Sequence, residues 1–331
     1  MLAAAAGVPL LFTEGIAQAP AAPTCRGRDL LPDLISSDAE AGRRIDKAAA
    51  EVANGEAMLW RVTRPGGSVN YLFGTVHLTD ERVNALPPAV AKALEASKQL
   101  VLEVADLSPM ALGRAMAKVQ DKLVFRDGRS LRTLLSPEEL PVAEGASSKA
   151  GLPSEMFQVA RPWVVTMLLA LSDCERRRSG AGKLPLDLNL ARIAKERAMP
   201  VLGLELLEDQ LGAMAAVPEA DQLTVLRASL KLAPQTDDML ETMLRRYLSR
   251  EIAKVWALQA ELWRKAGFDP ASFATFHREL ITVRNVRMRD AALPILAKGH
   301  AFIAVGALHL VGRDGLVALL RDAGFEVVAA E

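Results

Sequence analysis

An eight-residue phrase occurs twice in this chain, the second copy echoing the first more than two hundred residues later. Tyr71-Leu72-Phe73-Gly74-Thr75-Val76-His77-Leu78 is echoed by Ile303-Ala304-Val305-Gly306-Ala307-Leu308-His309-Leu310. Each copy begins as an apolar strand, passes through Gly-x-x-His, and is followed by a helix and a further apolar strand. After the first copy, Pro87-Pro88 opens a helix to about Ser97, because proline suits the first helical turn, and Leu100 to Glu103 forms the next strand. After the second, the helix is about Asp314 to Asp322 and the strand Phe325 to Ala329. Two such halves imply one shared central sheet in a mixed α/β fold, built from related β-GxxH-α-β units.

Between the halves lies a long stretch, about residues 108–295, with a mostly helical pattern. It is interrupted by a short apolar strand near residues 200–205, Pro200 to Glu205. Ser108-Pro109 and Ser136-Pro137-Glu138-Glu139 place a hydroxyl before a helix start, and the second adds the glutamate of a capping box. Arg161-Pro162 starts an apolar helix through Trp163 to Leu171, and the charged run from Cys174 to Lys183 reads as a surface loop. Leu186 to Ala198 reads as a helix. Trp256, Trp263, Phe273 and Phe276 have spacings that suit helix packing. Ahead of the first copy, Gly27 to Val52 reads as a helical arm and Ala57 to Val62 as a strand. Pro65-Gly66-Gly67 turns that strand back into Val69 to Phe73. The insert is expected to cover a face of the sheet or form a lid within one domain, residues 24–331.

The chain has 331 residues, half of them apolar, which is ample for a large core. Forty basic residues balance forty acidic ones, so no net field draws it to nucleic acid. No apolar run reaches the roughly 20 residues of a transmembrane helix. Residues 1–23 are expected to be an export signal or a disordered segment. Val8 to Phe12 is apolar and Ala17-Gln18-Ala19 has the form of a signal-peptidase site, although Glu14 is present and a basic start is not. The reading is an exported, periplasmic or secreted chain. Cys25 and Cys174 are the two cysteines; export would allow a disulfide between them, and a reducing compartment would leave two small buried apolar groups.

Four strands end in side chains able to bind metal or move protons: those leading to His77, Glu103, Glu205 and His309. In open α/β sheets functional groups collect beyond the carboxyl ends of the strands, so the four endings are expected to converge. Two imidazoles and a carboxylate make a divalent-metal site with open positions for water and substrate. A lone Gly-x-x-His carries little information; the matched pair carries more, and its rival reading is two structural turn histidines. His277 and His300 read as structural or exposed. Arg284-Asn285 lies on a basic helix, where an inward arginine would hold a carboxylate or stabilise an oxyanion. No phosphate-binding glycine loop, His-Glu-x-x-His helix or Gly-x-Ser-x-Gly elbow occurs.

Taken in order, Tyr71 to His77, Glu103, Arg161-Pro162-Trp163, Asp187, Gly203-Leu204-Glu205 with Gln210, Arg284-Asn285 and Gly306 to Gly312 resemble the TraB/PrgY/GumN family, which includes the Tiki metalloproteases. The resemblance covers roughly Trp60 to Val328 and is distantly similar to erythromycin esterases and ChaN-like proteins. It implies a metal-dependent hydrolase, metalloprotease-like, acting on a peptide or small acyl substrate with manganese or cobalt, zinc being the other candidate ion. His77, Glu205 and His309 are the expected metal ligands, with Glu103 for proton transfer and Arg284 and Asn285 as polar partners. Two other functions are consistent with the same residues: a noncatalytic protein that binds a peptide signal, and a hydrolase using His and Glu without metal.

Overall fold

The computed structural model describes Cys25 and residues 27–331; the expected leader over residues 1–23 lies outside them. The hairpin forms as expected. Strand β1 (Leu59–Thr63) pairs antiparallel with β2 (Asn70–Thr75), Trp60 opposite Leu72. The turn between them closes with Gly67 N–H donating to the Arg64 carbonyl, and Gly66, at φ 71°, occupies the left-handed position that glycine fills at no steric cost. Strands β3 (Gln99–Leu102), β4 (Val201–Gly203), β5 (Ala301–Gly306) and β6 (Glu326–Ala329) complete a six-stranded sheet in the order β4-β3-β5-β2-β1-β6. The neighbouring strands β4, β3, β5 and β2 are mutually parallel, and β1 is antiparallel to both β2 and β6. Leu100 to Leu102 and Ala301 to Val305 are buried at every position, the mark of central strands covered on both faces.

The two copies of the repeated phrase lie side by side as β2 and β5, one residue out of phase. The phrase aligns Gly74 with Gly306, whereas the sheet pairs Gly74 with Val305 and Thr75 with Gly306. Buried Asn70 fixes this stagger where the strands begin: its amide donates to the Leu296 carbonyl and its oxygen accepts from Ala301 N–H. Since side chains alternate faces along a strand, a shift of one residue turns the two glycines to opposite faces. A Cβ on Gly74 would lie 3.0 Å from Ala307 Cα and 2.8 Å from Leu310 Cδ1. That glycine permits the close approach of the second copy's turn to the first copy's strand. Gly306 serves a different purpose, described below.

The insert is helical from Pro109–Leu123 onward, with β4 within it, and several of its side chains join the sheet's apolar cluster, among them Leu244, Tyr247, Ile252 and Val255. Both expected caps are present. Ser108 Oγ accepts from Ala111 N–H, and Ser136 and Glu139 exchange the two side-chain-to-backbone bonds of a capping box. Two expectations need correction. Gly27 to Val52 is two helices, Leu30–Ser37 and Ala39–Ala50, because Asp38 is extended and caps the second. The run Cys174 to Lys183 is not a loop: Asp173–Gly180 is a helix capped by Ser172, with Cys174 and Glu175 buried. Its charges mislead because their partners are distant in sequence. Glu175 accepts from Thr79 N–H and Oγ1, and Arg178 donates to Asp80 at 2.9 Å. Among the described residues no helix is long and apolar enough to cross a membrane.

Cys25 and Cys174 form a disulfide, Cα to Cα 5.6 Å. It anchors the start of the described chain to the helix that grips Thr79 and Asp80, just beyond His77. A bridge closing so long a loop removes much freedom from the unfolded chain. Reduction, or Cys25→Ser, is expected to lower the unfolding free energy by about 2–5 kcal/mol. Denaturant midpoints with and without reductant measure this; equal midpoints would show that the bridge holds nothing.

Candidate active site

The carboxyl ends of the parallel strands meet on one edge of the sheet. β2 ends at Thr75, two residues before His77. β5 ends at Gly306, and a tight 3-10 turn, Ala307–His309, brings the second histidine back over the edge. Glu103 directly follows β3, and Glu205 lies two residues past β4. Arg284 and Asn285 sit in the first turn of helix Val283–Lys298, which is entered through a π-helical turn, Arg278–Thr282. Such turns recur at functional sites because they re-aim the side chains that follow. From the adjacent strands β2 and β5 the chain departs in opposite directions, to β3 and to β6. That is the topological switch point where α/β sheets open a crevice.

Gly306 marks the point of convergence. A Cβ there would lie 3.2 Å from Glu103 Oε1, 3.5 Å from His77 Nε2 and 3.5 Å from His309 Cδ2. Each imidazole is oriented through its other nitrogen. His77 Nδ1 is 2.7 Å from Asp187 Oδ2, and the second Asp187 oxygen accepts from Thr75 Oγ1 at 2.6 Å. His309 Nδ1 is 2.6 Å from Asn285 Oδ1, and Asn285 donates its amide to the Asp314 carbonyl. That last bond assigns the amide oxygen to the histidine, so Nδ1 of His309 carries the proton and Nε2 presents a lone pair. This Nε2 lies 3.8 Å from Glu103 Oε1.

The carboxylates are held by one guanidinium. Arg284 Nη2 donates to Glu103 Oε2 at 2.6 Å and to Glu205 Oε2 at 2.8 Å, its Nε adds a bond to Glu205 at 3.0 Å, and Nη1 donates to the Leu280 carbonyl. Gln210 donates to Glu103 Oε2, and Gly306 N–H donates to Oε1 at 2.7 Å. All three charged side chains are buried.

Electrostatics separate the two histidines. Burial disfavours the charged form of His309 more than nearby Glu103 favours it, and its pKa falls to about 4. Withdrawal from water also opposes a charge on His77. It is the largest single influence on the ring, yet the Asp187 carboxylate, by charge and hydrogen bond, and the Glu103 charge together outweigh it and raise the pKa to about 9. Burial works against ionised Glu103, but the histidines, Arg284 and the Gly306 amide outweigh it and hold its pKa near 2.

All six residues singled out in the sequence therefore gather at one edge, with a different division of partners. Glu103, rather than Glu205, faces the imidazoles; Glu205 is turned to Arg284. Among the described residues no three His, Cys, Asp or Glu side chains are drawn together as a ready metal cage. Thr75, Asp187 and Gln210 complete the site. Asp187 and Gln210 stand out in sequence only through the family resemblance, since an acid in the first turn of a helix is ordinarily a dipole-compensating charge. His277 stacks edge-on against Trp256, centroids 4.9 Å apart, and His300 occupies a turn at φ 56°; neither joins the cluster.

The family model described as TraB/PrgY/gumN matches residues 58–329. The chain belongs to that family. It is 26% identical over 261 residues to the uncharacterized protein YbaP of Escherichia coli (strain K12), covering 78% of this chain and 90% of that one. An uncharacterized protein of Treponema pallidum (strain Nichols) is 22% identical over 284 residues, 82% of each chain. Metalloprotease TIKI1 of Danio rerio is 25% identical over 316 residues, which are 82% of this chain and 62% of TIKI1. No solved structure matches the chain significantly.

In metal-free protein, His77 should titrate near pH 9 and His309 near pH 4, against about 6.5 for an unperturbed histidine. The stability that His77 contributes is full below pH 6.5 and is lost as pH rises through 9. That of neutral His309 is full above 6.5 and is lost as pH falls towards 4. Imidazole proton NMR follows both rings, and Asp187→Asn should return His77 towards 6.5. An unchanged His77 titration in that variant would contradict the assignment.

Proposed function

We propose that the chain is a hydrolase of peptide or related acyl bonds, dependent on a divalent metal and working at the cluster over Gly306. The observation that carries this is the gathering of two imidazole rings around one carboxylate oxygen: Glu103 Oε1 and His77 Nε2 both lie against Gly306, His309 Nε2 is 3.8 Å from the same oxygen, and each imidazole is braced through Nδ1. Bracing of this kind is how ligating histidines are oriented at metal centres. The donor chemistry fits a divalent ion. His309 is neutral with a free lone pair, Glu103 is held ionised, and His77 would give up its proton to bind. His77, His309 and Glu103 would hold the ion, and manganese and cobalt are the ions the family resemblance favours. When bound, it would supply Lewis acidity at a carbonyl oxygen and a lowered pKa for water.

The remaining residues have supporting work. Arg284 and Gln210 hold Glu103 in one rotamer, and Glu205 balances the guanidinium so that this clamp carries little net charge. A carboxylate kept near pKa 2 is a poor proton acceptor and a good permanent anion, which favours ligation over proton transfer for Glu103. A second reading, hydrolysis by histidine and glutamate without metal, is favoured by the ion pair between Arg284 and Glu103 and by the raised pKa of His77. The disulfide accords with export to an oxidising compartment, which we include in the proposal. The name metalloprotease borne by the Tiki relatives supports the peptide reading.

Metal titration by calorimetry should show affinity for manganese or cobalt rising with pH until His77 is deprotonated near 9. Asp187→Ala should weaken that affinity, or the hydrolysis of a peptide library, about 10- to 100-fold. Activity that survives exhaustive chelation would establish the metal-free reading. A cellular effect that persists in folded His77→Ala and Glu103→Ala variants would establish noncatalytic binding of a peptide signal.

A further inference from the structure

The floor of the crevice is polar, but its walls are not. Above His77, Glu103 and His309 lies a cavity of about 440 Å³ walled by Met167, Leu171, Met243, Val255, Ile281 and Leu308. A second cavity, about 370 Å³, shares Ala170, Leu240, Met243, Val255 and Leu308 with it and continues to Trp256, Trp263, Phe273 and Phe276. A third, about 240 Å³, shares Trp256, Gln259, Trp263 and Phe273 with the second. The shared walls set the three cavities side by side, in a row from the reactive cluster along helices Thr236–Leu248 and Ala253–Lys265 to an aromatic end, and we take this row as one trough.

The middle compartment has no charged side chain on its walls. Its threonines are already occupied, Thr166 Oγ1 donating to the Pro162 carbonyl, Thr236 to Ala233 and Thr242 to Asp238, and Ser229 and Gln259 are the two polar side chains left on the wall, too few to pair a main chain along its length. A peptide main chain laid along this trough would need a partner for an N–H and a carbonyl at every residue, and unpaired groups there are costly. A hydrocarbon chain needs none.

We propose that the trough receives the unbranched acyl chain of a long-chain amide or ester whose carbonyl lies over Gly306. This rests on the hydrolytic reading and names its substrate class. Water adds to the acyl carbonyl, the bond from that carbon to nitrogen or oxygen breaks, and the amine or alcohol leaves with a proton as the fatty acid forms.

The test uses the full chain with its disulfide intact and saturated carboxylates of six to sixteen carbons, below their micellar concentrations, followed by tryptophan fluorescence. Affinity should rise roughly fourfold per methylene, the value of burying one, and then level off where the trough is filled. Ser229→Phe, which narrows the middle compartment, should bring the plateau to shorter chains and leave hexanoate binding unchanged. Gln259→Glu, which sets an anion on the wall, should flatten the rise and covers the case in which the first variant does not fold. Affinity independent of chain length, profiles unaltered in both folded variants, or binding of leucine-rich peptides in place of the carboxylates would overturn the proposal. Chain-length-dependent binding without turnover of long-chain amides or esters would sustain the trough and sink hydrolysis. Turnover of short acyl substrates with a flat chain-length profile would do the reverse.

Discussion

Glu103 and Glu205 stand at the ends of the neighbouring parallel strands β3 and β4, both largely buried, and the guanidinium of Arg284 makes that arrangement tolerable. Two carboxylates buried together repel each other and forfeit hydration; a cation bonded to both offsets much of each cost. The compensation has a structural price, since Arg284 must arrive from far along the chain with its planar fork correctly turned. The π-helical turn before it and the bond to Leu280 supply that orientation. Loss of the cation would leave buried negative charge unpaired, and the position of Glu103 against the imidazoles would go with it.

The bracing of the histidines distributes the site over much of the chain. Asp187 comes from the insert, Asn285 from the helix that carries Arg284, and Thr75 from the end of β2. Helix Asp173–Gly180 adds a grip on the residues after His77 through Glu175 and Arg178, and the disulfide holds that helix to Cys25. The insert therefore does more than cover a face of the sheet. It furnishes an acid for one histidine and most of the apolar wall above both.

The strands, the hairpin and the convergence of strand ends were legible because they rest on local signals. Alternation and apolar runs mark β2, β3 and β5, a proline-glycine turn marks the hairpin, and a repeated phrase marks the two histidines. What escaped was set by contacts between distant residues. The helix at Asp173–Gly180 looked like a solvated loop because Glu175 and Arg178 find partners near residue 80. The role of Asp187 could not be read from its position at a helix start. Glu103 and Glu205 were placed correctly at the same edge, yet which of them faces the rings depends on where one arginine reaches. Periodicity carries no information about that. The lateral stagger of β2 and β5 was equally hidden, because the phrase itself suggests alignment in phase.

That stagger gives the two copies of the phrase different surroundings. Equivalent letters of the phrase look to opposite sides of the sheet, so Gly74 yields space to a neighbouring turn while Gly306 leaves room among reactive groups. A side chain tolerated in one copy is therefore judged by a different environment in the other. Transplanting either segment into its sibling's place would preserve the motif and destroy the fit. The pair is alike in spelling only: both copies bring a histidine to one edge, but their glycines answer to opposite faces of the sheet.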